Sequence, residues 1–170
     1  MSPPNGLVCQ YYVVCASPDT SIATPEGERR IADLSEGDLV YSVDHDAIAI
    51  VPIARATRTP VSRHSVMRIE LATGSVLEIS PGHPTADGRS FGGLQAGDSL
   101  DGVEIVAARA VPYTHDATYD ILPASDSGAY FAGGVLVGST LASGARLVMN
   151  PTAPFALPAT RSSVGSATRR

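Results

Sequence analysis

Apolar and polar residues alternate with a period of two along most of this chain. The segments SIAT, DLVYSV, AIAIVPIARA, VMRIELA, SVLEIS, GVEIVAARAV, TYDIL and GVLVGS each hold that pattern for a few residues, as strands with one buried face do. Turn residues separate them at Pro25-Glu26-Gly27, Thr73-Gly74, Asp87-Gly88 and Gly133-Gly134, where a backbone can reverse without strain. VMRIELATGSVLEIS predicts a hairpin about Ala72-Thr73-Gly74. Only RRIADLSEG has a helical look, and for about one turn. The pattern predicts an all-β domain of short strands.

The same pattern occurs twice. Thr24-Pro25-Glu26-Gly27, Leu34 and Gly37-Asp38 are echoed by Thr85-Ala86-Asp87-Gly88, Leu94 and Gly97-Asp98, offset by 61 at the Thr and by 60 at the Gly-Asp. Each copy fits a hairpin turn, a short helical turn, and a Gly-Asp turn leading into another strand. An ordered echo of this kind predicts a duplicated sub-fold related by a pseudo-two-fold axis.

Composition narrows the core and the chemistry. Aromatics are 5% of the 170 residues and Trp is absent, so Val, Ile, Leu and Ala must fill the interior. All twelve basic residues are Arg, which excludes a Schiff-base or P-loop lysine. All seventeen acids lie at or before Asp126, and residues 1–140 carry eight arginines, a net charge of −9. So acidic a body makes no nucleic-acid surface, and four arginines after residue 140 form a weak basic tail. After Val137 the alternation decays into Ala, Ser, Thr and Pro, which predicts a disordered tail over 141–170, or a linker. The start, MSPPNGLVCQYYVVCA, has no basic n-region and no run long enough to span a membrane, so neither a signal peptide nor an anchor is expected.

Four residues could carry chemistry. Cys15 stands where an apolar run meets a Pro-Asp-Thr turn, either as a small buried hydrophobe or as a nucleophile. Ser80 and His83 lie in Ser80-Pro81-Gly82-His83-Pro84, just past the strand VLEI, and Asp120 interrupts the β-run TYDIL. Together they supply a thiol, a hydroxyl, an imidazole and a carboxylate, the parts of an acyl-transfer site. Taken singly, His83 reads as a surface turn histidine and Asp120 as an inward or edge-protecting charge. Cys9 and Cys15 make no disulfide framework, though six residues apart they could pair and so quench Cys15. His45, His64, His83 and His115 show no zinc spacing, and no metal or cofactor is expected.

The block CASPDTSIATPEGERRIADLSEGDLVYSVD resembles the opening block of the Hint (hedgehog/intein) superfamily of autoprocessing domains: Cys, a short turn, Asp-Thr, a strand, Pro-x-Gly, Leu and Gly-Asp-x-Val. LEISPGHPTADGRSFGGLQAGDSL resembles the family's Thr-x-x-His block, with Ser80 at the Thr and His83 at the His, and TYDILPASDSGAYFAGGVLV resembles its penultimate block. The resemblance, closest to a bacterial intein-like domain, runs from Cys15 to Ser139. It implies the horseshoe-like Hint fold over 15–140, with residues 1–14 as an upstream flank. It also implies that Cys15 attacks the Val14 carbonyl in an N–S acyl shift, that His83 protonates the amide nitrogen, and that Ser80 orients His83 or polarises the carbonyl. Asp120 would tune the thiol or relay its proton. The substrate is then the chain's own flank, within one monomer, and water, a thiol or an amine is the acceptor.

The chain departs from the family at its end. Gly138 and Ser139 occupy the positions of the terminal His-Asn, Gly128 that of an upstream His, and Asn5 and Asn150, the two asparagines, follow no His. Splicing by Asn cyclisation is therefore not expected, and thioester formation followed by cleavage is. The β-branched Val14 should slow attack at its carbonyl. With only fourteen residues before Cys15, release of a larger partner would imply that the chain is a fragment. The alternative readings are an inactive Hint domain kept as a structural or interaction module and, more remotely, a thiol hydrolase acting in trans.

Overall fold

The computed structural model describes residues 14–142. The upstream flank, Cys9 and all but the first two residues of the expected tail lie outside that range. Within it the chain is β-structure with two single-turn 3-10 segments, Ile31–Asp33 and Phe91–Gly93. The strands are β1 (Ser21–Thr24), β2 (Gly27–Arg30), β3 (Leu39–Asp44), β4 (Ala47–Pro60), β5 (Ser65–Leu71), β6 (Val76–Ile79), β7 (Ser99–Leu100), β8 (Val103–Pro112), β9 (Ala117–Pro123), β10 (Tyr130–Ala132) and β11 (Val135–Val137).

They form two antiparallel sheets. One runs β2-β1-β10-β3-β4-β9 with β11 also on β10, and the other β6-β5-β8-β7. β4 belongs to two pairings: Ala47 to Pro52 lie against β3, and Ile53 to Pro60 against β9, with a register shift between Ile53 and Arg55. Such a shift bends a strand and curls the sheet around it. β8 does the same in the second sheet, pairing first with β7 and then with β5.

The sequence echo is a structural one. Leu34 N–H bonds Ile31 O at 3.2 Å, as Leu94 N–H bonds Phe91 O at 3.2 Å. Gly37 N–H bonds Ile53 O at 2.9 Å, as Gly97 N–H bonds Ile105 O at 2.9 Å. The carboxylates of Asp38 and Asp98 accept from Ser35 N–H at 2.9 Å and Gln95 N–H at 3.0 Å. The repeat also begins earlier than the Thr-x-x-Gly signal. Thr20 N–H bonds Ser17 O and His83 N–H bonds Ser80 O, so Ser17-Pro18-Asp19-Thr20 is the counterpart of Ser80-Pro81-Gly82-His83, at an offset of 63.

The core follows the alternation. Ile22, Ile69, Leu77, Ile79, Leu100, Ile105 and Ile121 are buried from the strands, Ile31 and Phe91 from the two 3-10 turns, and Tyr130 is fully enclosed. Each large side chain so buried contributes roughly 1.5–3 kcal/mol, and with no Trp the interior is chiefly aliphatic. β2 (GERR) and β7 (SL) escape the alternation because they are short and carry no apolar row. Their partner strands define them.

Candidate functional site

Two sheets meet at Cys15. Ala16 exchanges backbone bonds with Tyr119 of β9 at 2.8 and 2.9 Å, while on the other side Ser17 N–H bonds Glu78 O at 3.0 Å and Ser80 N–H bonds Cys15 O at 3.0 Å. Residues 15–17 are thus a short strand stitched between the end of β6 and β9. This fixes the peptide bond just before it, Val14–Cys15, with little freedom.

Ser80 and His83 flank that peptide bond. Cys15 N–H donates to Ser80 Oγ at 3.2 Å, and the Ser80 hydroxyl lies 2.9 Å from Cys15 O. His83 Nδ1 lies 3.3 Å from Val14 O, and its Nε2 lies 2.7 Å from Gly138 O. Both ring nitrogens of His83 face carbonyl oxygens, which only accept, so each of these bonds forms only where the ring nitrogen carries a hydrogen. The ring is fully buried and packs edge-on to Phe91, with centroids 5.9 Å apart. The resemblance places His83 at the amide nitrogen; in this geometry the nitrogen bonds Ser80, and His83 faces the carbonyl oxygen.

Gly82 between them is set by a close approach. A Cβ there would lie 2.5 Å from Val14 Cγ1, so the Ser-Pro-Gly-His turn is shaped around the residue before the cysteine.

Cys15 is buried and carries a free thiol. Burial, and then the negative charge of Asp120, push its pKa up from 9.0 to about 12, against smaller opposing hydrogen bonds from Thr118, Thr59 and the Val14 backbone. Asp120, fully buried on β9, acts on the thiol through its charge, while its carboxylate oxygens bond β10 and the segment after β11. Oδ1 accepts from Tyr130 OH at 3.0 Å and from Ile121 N–H at 2.9 Å. Oδ2 accepts from Thr140 N–H at 2.8 Å, Ser139 OH at 3.3 Å and the Thr140 hydroxyl. Asp120 therefore fastens Ser139-Thr140 beneath the site.

Gly138 and Gly128 both leave little room for a side chain. A side chain at Gly138 would meet Thr85 O at 3.2 Å and the Pro84 ring at 3.3 Å. At Gly128, with φ of +60°, it would meet Ala142 Cβ at 3.1 Å and Leu122 Cδ1 at 3.3 Å.

One imidazole joins the site without any motif to announce it. His64 Nε2 lies 2.8 Å from Ser80 Oγ, reached from the bend between β4 and β5. Among the described residues one cluster has metal-ligating types in reach of one another, Asp44, His45 and Asp126. Its groups bond one another: His45 N–H bonds both Asp126 oxygens at 3.1 Å, and Asp126 N–H bonds Asp44 Oδ1 at 2.8 Å. No helix of the described residues is long and apolar enough to cross a membrane.

Comparison with known proteins agrees with this architecture. A family model described as "Hint domain" matches residues 14–84. Warthog protein 1 of Caenorhabditis elegans is 26% identical over 70 residues, a match taking in 41% of this chain and 14% of that protein. The chain therefore spans a small part of that relative. Among solved structures, the bacterial intein-like domain from Clostridium thermocellum superposes with a TM-score of 0.62 at 20% identity, over 74% of this chain and 96% of that one. The MchDnaB-1 intein gives 0.60 at 22% identity, over 72% and 98%. A DnaB intein from Synechocystis sp. PCC 6803 gives 0.60 at 12% identity, over 74% and 98%. The chain has the fold shared by inteins and the bacterial intein-like domain, and its first half matches the Hint domain model.

Proposed function

We propose that this domain is self-processing and breaks its own Val14–Cys15 bond through a thioester. One observation carries the reading: both ends of that peptide bond are held by polar side chains, the nitrogen by Ser80 Oγ at 3.2 Å and the carbonyl oxygen by His83 Nδ1 at 3.3 Å. Cys15 Sγ attacks the Val14 carbonyl carbon and loses its proton. The oxyanion forms against His83, which donates to it, as preorganised donors do in acyl transfer. The carbon–nitrogen bond then breaks, its electron pair stays on the Cys15 nitrogen, and a proton arrives there through Ser80. The product is a Val14–Cys15 thioester with a free Cys15 amine. Water, a thiol or an amine then takes the acyl group and restores the thiol. Covalent tethering replaces substrate binding and supplies the proximity a bimolecular reaction lacks.

Gly138 and Ser139 support cleavage over splicing. Ser139 has no carboxamide with which to cyclise, and Gly138 contributes a backbone carbonyl to His83 where a splicing relative has an imidazole. The domain therefore works once, on its own flank, rather than turning over.

A second reading, an inactive module, draws on the raised thiol pKa, since the thiolate is the attacking species. One experiment separates the two. A folded reporter domain is fused ahead of the flank and the chain is followed by intact mass with and without dithiothreitol. Thiol-accelerated release of a product ending at Val14, absent in Cys15→Ala, is expected. A full-length chain that persists under both conditions rejects self-processing and favours the module.

A further inference from the structure

His64 contacts neither atom of the Val14–Cys15 bond, yet it stands directly behind the hydroxyl that does. Its Nε2 is 2.8 Å from Ser80 Oγ, and Ser80 Oγ is 3.2 Å from the Cys15 nitrogen. The imidazole is half-buried and packed edge-on to Tyr113, with centroids 5.6 Å apart. Tyr113 N–H bonds His64 O at 2.9 Å and Tyr113 OH bonds Ala117 O at 2.7 Å, so the bend that carries His64 is tied to the entrance of β9. A surface histidine needs no such anchorage.

The hydroxyl has three polar neighbours and one proton. Cys15 N–H donates to it, and its own proton goes to Cys15 O at 2.9 Å, which also accepts the Ser80 backbone N–H at 3.0 Å, so towards His64 Nε2 the oxygen is left to accept. As the carbon–nitrogen bond stretches, the nitrogen changes from donor to base, and Ser80 Oγ is the group bonded to it. A serine hydroxyl can give up its proton near neutral pH only if another reaches the same oxygen, because an alkoxide is too basic to persist. His64 Nε2 is placed to supply that second proton.

We propose that His64 acts through Ser80 as the proton supply of the leaving nitrogen. The inference rests on the self-processing reading above. As the Val14 carbon–Cys15 nitrogen bond breaks, nitrogen keeps the electron pair and takes the Ser80 hydroxyl proton. Ser80 Oγ takes the proton on His64 Nε2, and the imidazole recovers one from water at Nδ1. The thiol's proton, lost to water on attack, balances the exchange. Imidazole suits the task because it both gives and takes protons near neutral pH.

The groups around His64 leave its ionisation separable. Tyr113 lies against the ring, and His115 stacks beyond Tyr113 at 5.3 Å with its Nε2 3.9 Å from an Asp19 oxygen. Cys15 lies across Ser80, and Glu78, Asp116 and Tyr119 surround Tyr113 closely enough to act on its charge. Among the described residues no carboxylate or guanidinium forms an ion pair with His64 itself. Burial holds its pKa below the ordinary histidine value.

The test follows release of residues 1–14 from the full-length chain by dithiothreitol, across roughly pH 5 to 9, in wild type, His64→Gln, Ser80→Ala and the double variant. His64→Gln is expected to slow release by about 100-fold, the scale of one acid–base group, and to erase an acidic ionisation from the profile. In the Ser80→Ala background it should cost nothing further. Free imidazole should restore part of the rate to His64→Ala, which also covers the case of a misfolded glutamine variant. Wild-type rate and profile in His64→Gln, or the same loss with and without Ser80, overturns the relay while self-processing stands. No release from wild type overturns both.

Discussion

At the scale of single residues, the contact between Val14 and Gly82 ties cleavage to what precedes the cysteine. A methyl at 82 would come within 2.5 Å of Val14 Cγ1, which forces either the turn or the valine to move. Overpacking of this kind costs about 1–3 kcal/mol, and here it acts on the carbonyl that faces His83. Gly82→Ala is therefore expected to slow thiol-induced release at least about tenfold, since small misplacements of reacting groups are expensive. Val14→Ala in the same chain should recover most of the loss by removing Cγ1, and by itself should speed release. Intact-mass kinetics of the four chains measure this, and an unrescued double variant would show that the contact is not what Gly82 serves. Cys15, Ser80, His83 and Asp120 were candidates in the sequence because the family resemblance marks each of them. Which end of the peptide bond Ser80 and His83 would face was not legible, because that depends on how the turn folds around Val14. His64 was invisible for a plainer reason. Its partner Ser80 is sixteen residues away on the far side of a hairpin, and Arg63-His64 carries no pattern of its own. The Ser-Pro-x-Thr and Ser-Pro-x-His pair, in contrast, was legible, and would have extended the echo back into the site.

At the scale of elements, β9, β10 and the segment after β11 converge on one carboxylate. Tyr130 on β10 and Ser139-Thr140 after β11 all donate to Asp120 of β9. The segment after β11 is thereby tied to β9, the strand that Ala16 bonds, whether or not it takes part in chemistry. A His-Asn pair is therefore not expected to be tolerated at 138–139. In Gly138→His with Ser139→Asn, the new Cβ crowds Thr85 O and the Pro84 ring, and Asn replaces a hydroxyl that bonds Asp120. The double variant is expected to lose about 1–3 kcal/mol of stability and to form no succinimide. Chemical denaturation and mass analysis of the 139–140 junction read the two outcomes, and clean cleavage at that junction would refute the steric account. Strand identity was mostly legible where one face is buried, as in β5 and β6. β2 and β7 were not, because their pairing is imposed by longer neighbours and leaves no apolar row to read.

At the scale of the whole molecule, the buried ionisable groups set one direction for the response to pH. Cys15 is neutral when protonated, and its pKa in the folded chain is pushed up to about 12 from an unfolded value near 9.0. Below about pH 9 both states keep the proton and the thiol leaves stability unchanged. Above it the unfolded chain ionises while the folded chain resists, so stability falls towards pH 12 at up to about 1.4 kcal/mol per pH unit for one such group. Tyr113 and Tyr130, both raised chiefly by burial, steepen the fall above about pH 10. Urea unfolding of Cys15→Ala beside wild type, at pH 8, 9 and 10 and without added thiol, should give a shallower decline for the variant; parallel declines would show that the thiol is not held protonated by the fold. Cys9 is common to both chains and cancels in the comparison. The same ionisation drives the proposed cleavage in the opposite sense, because attack requires the thiolate. Release should therefore quicken over the pH range in which the folded state weakens, so that the burial stabilising this fold is also what restrains its chemistry.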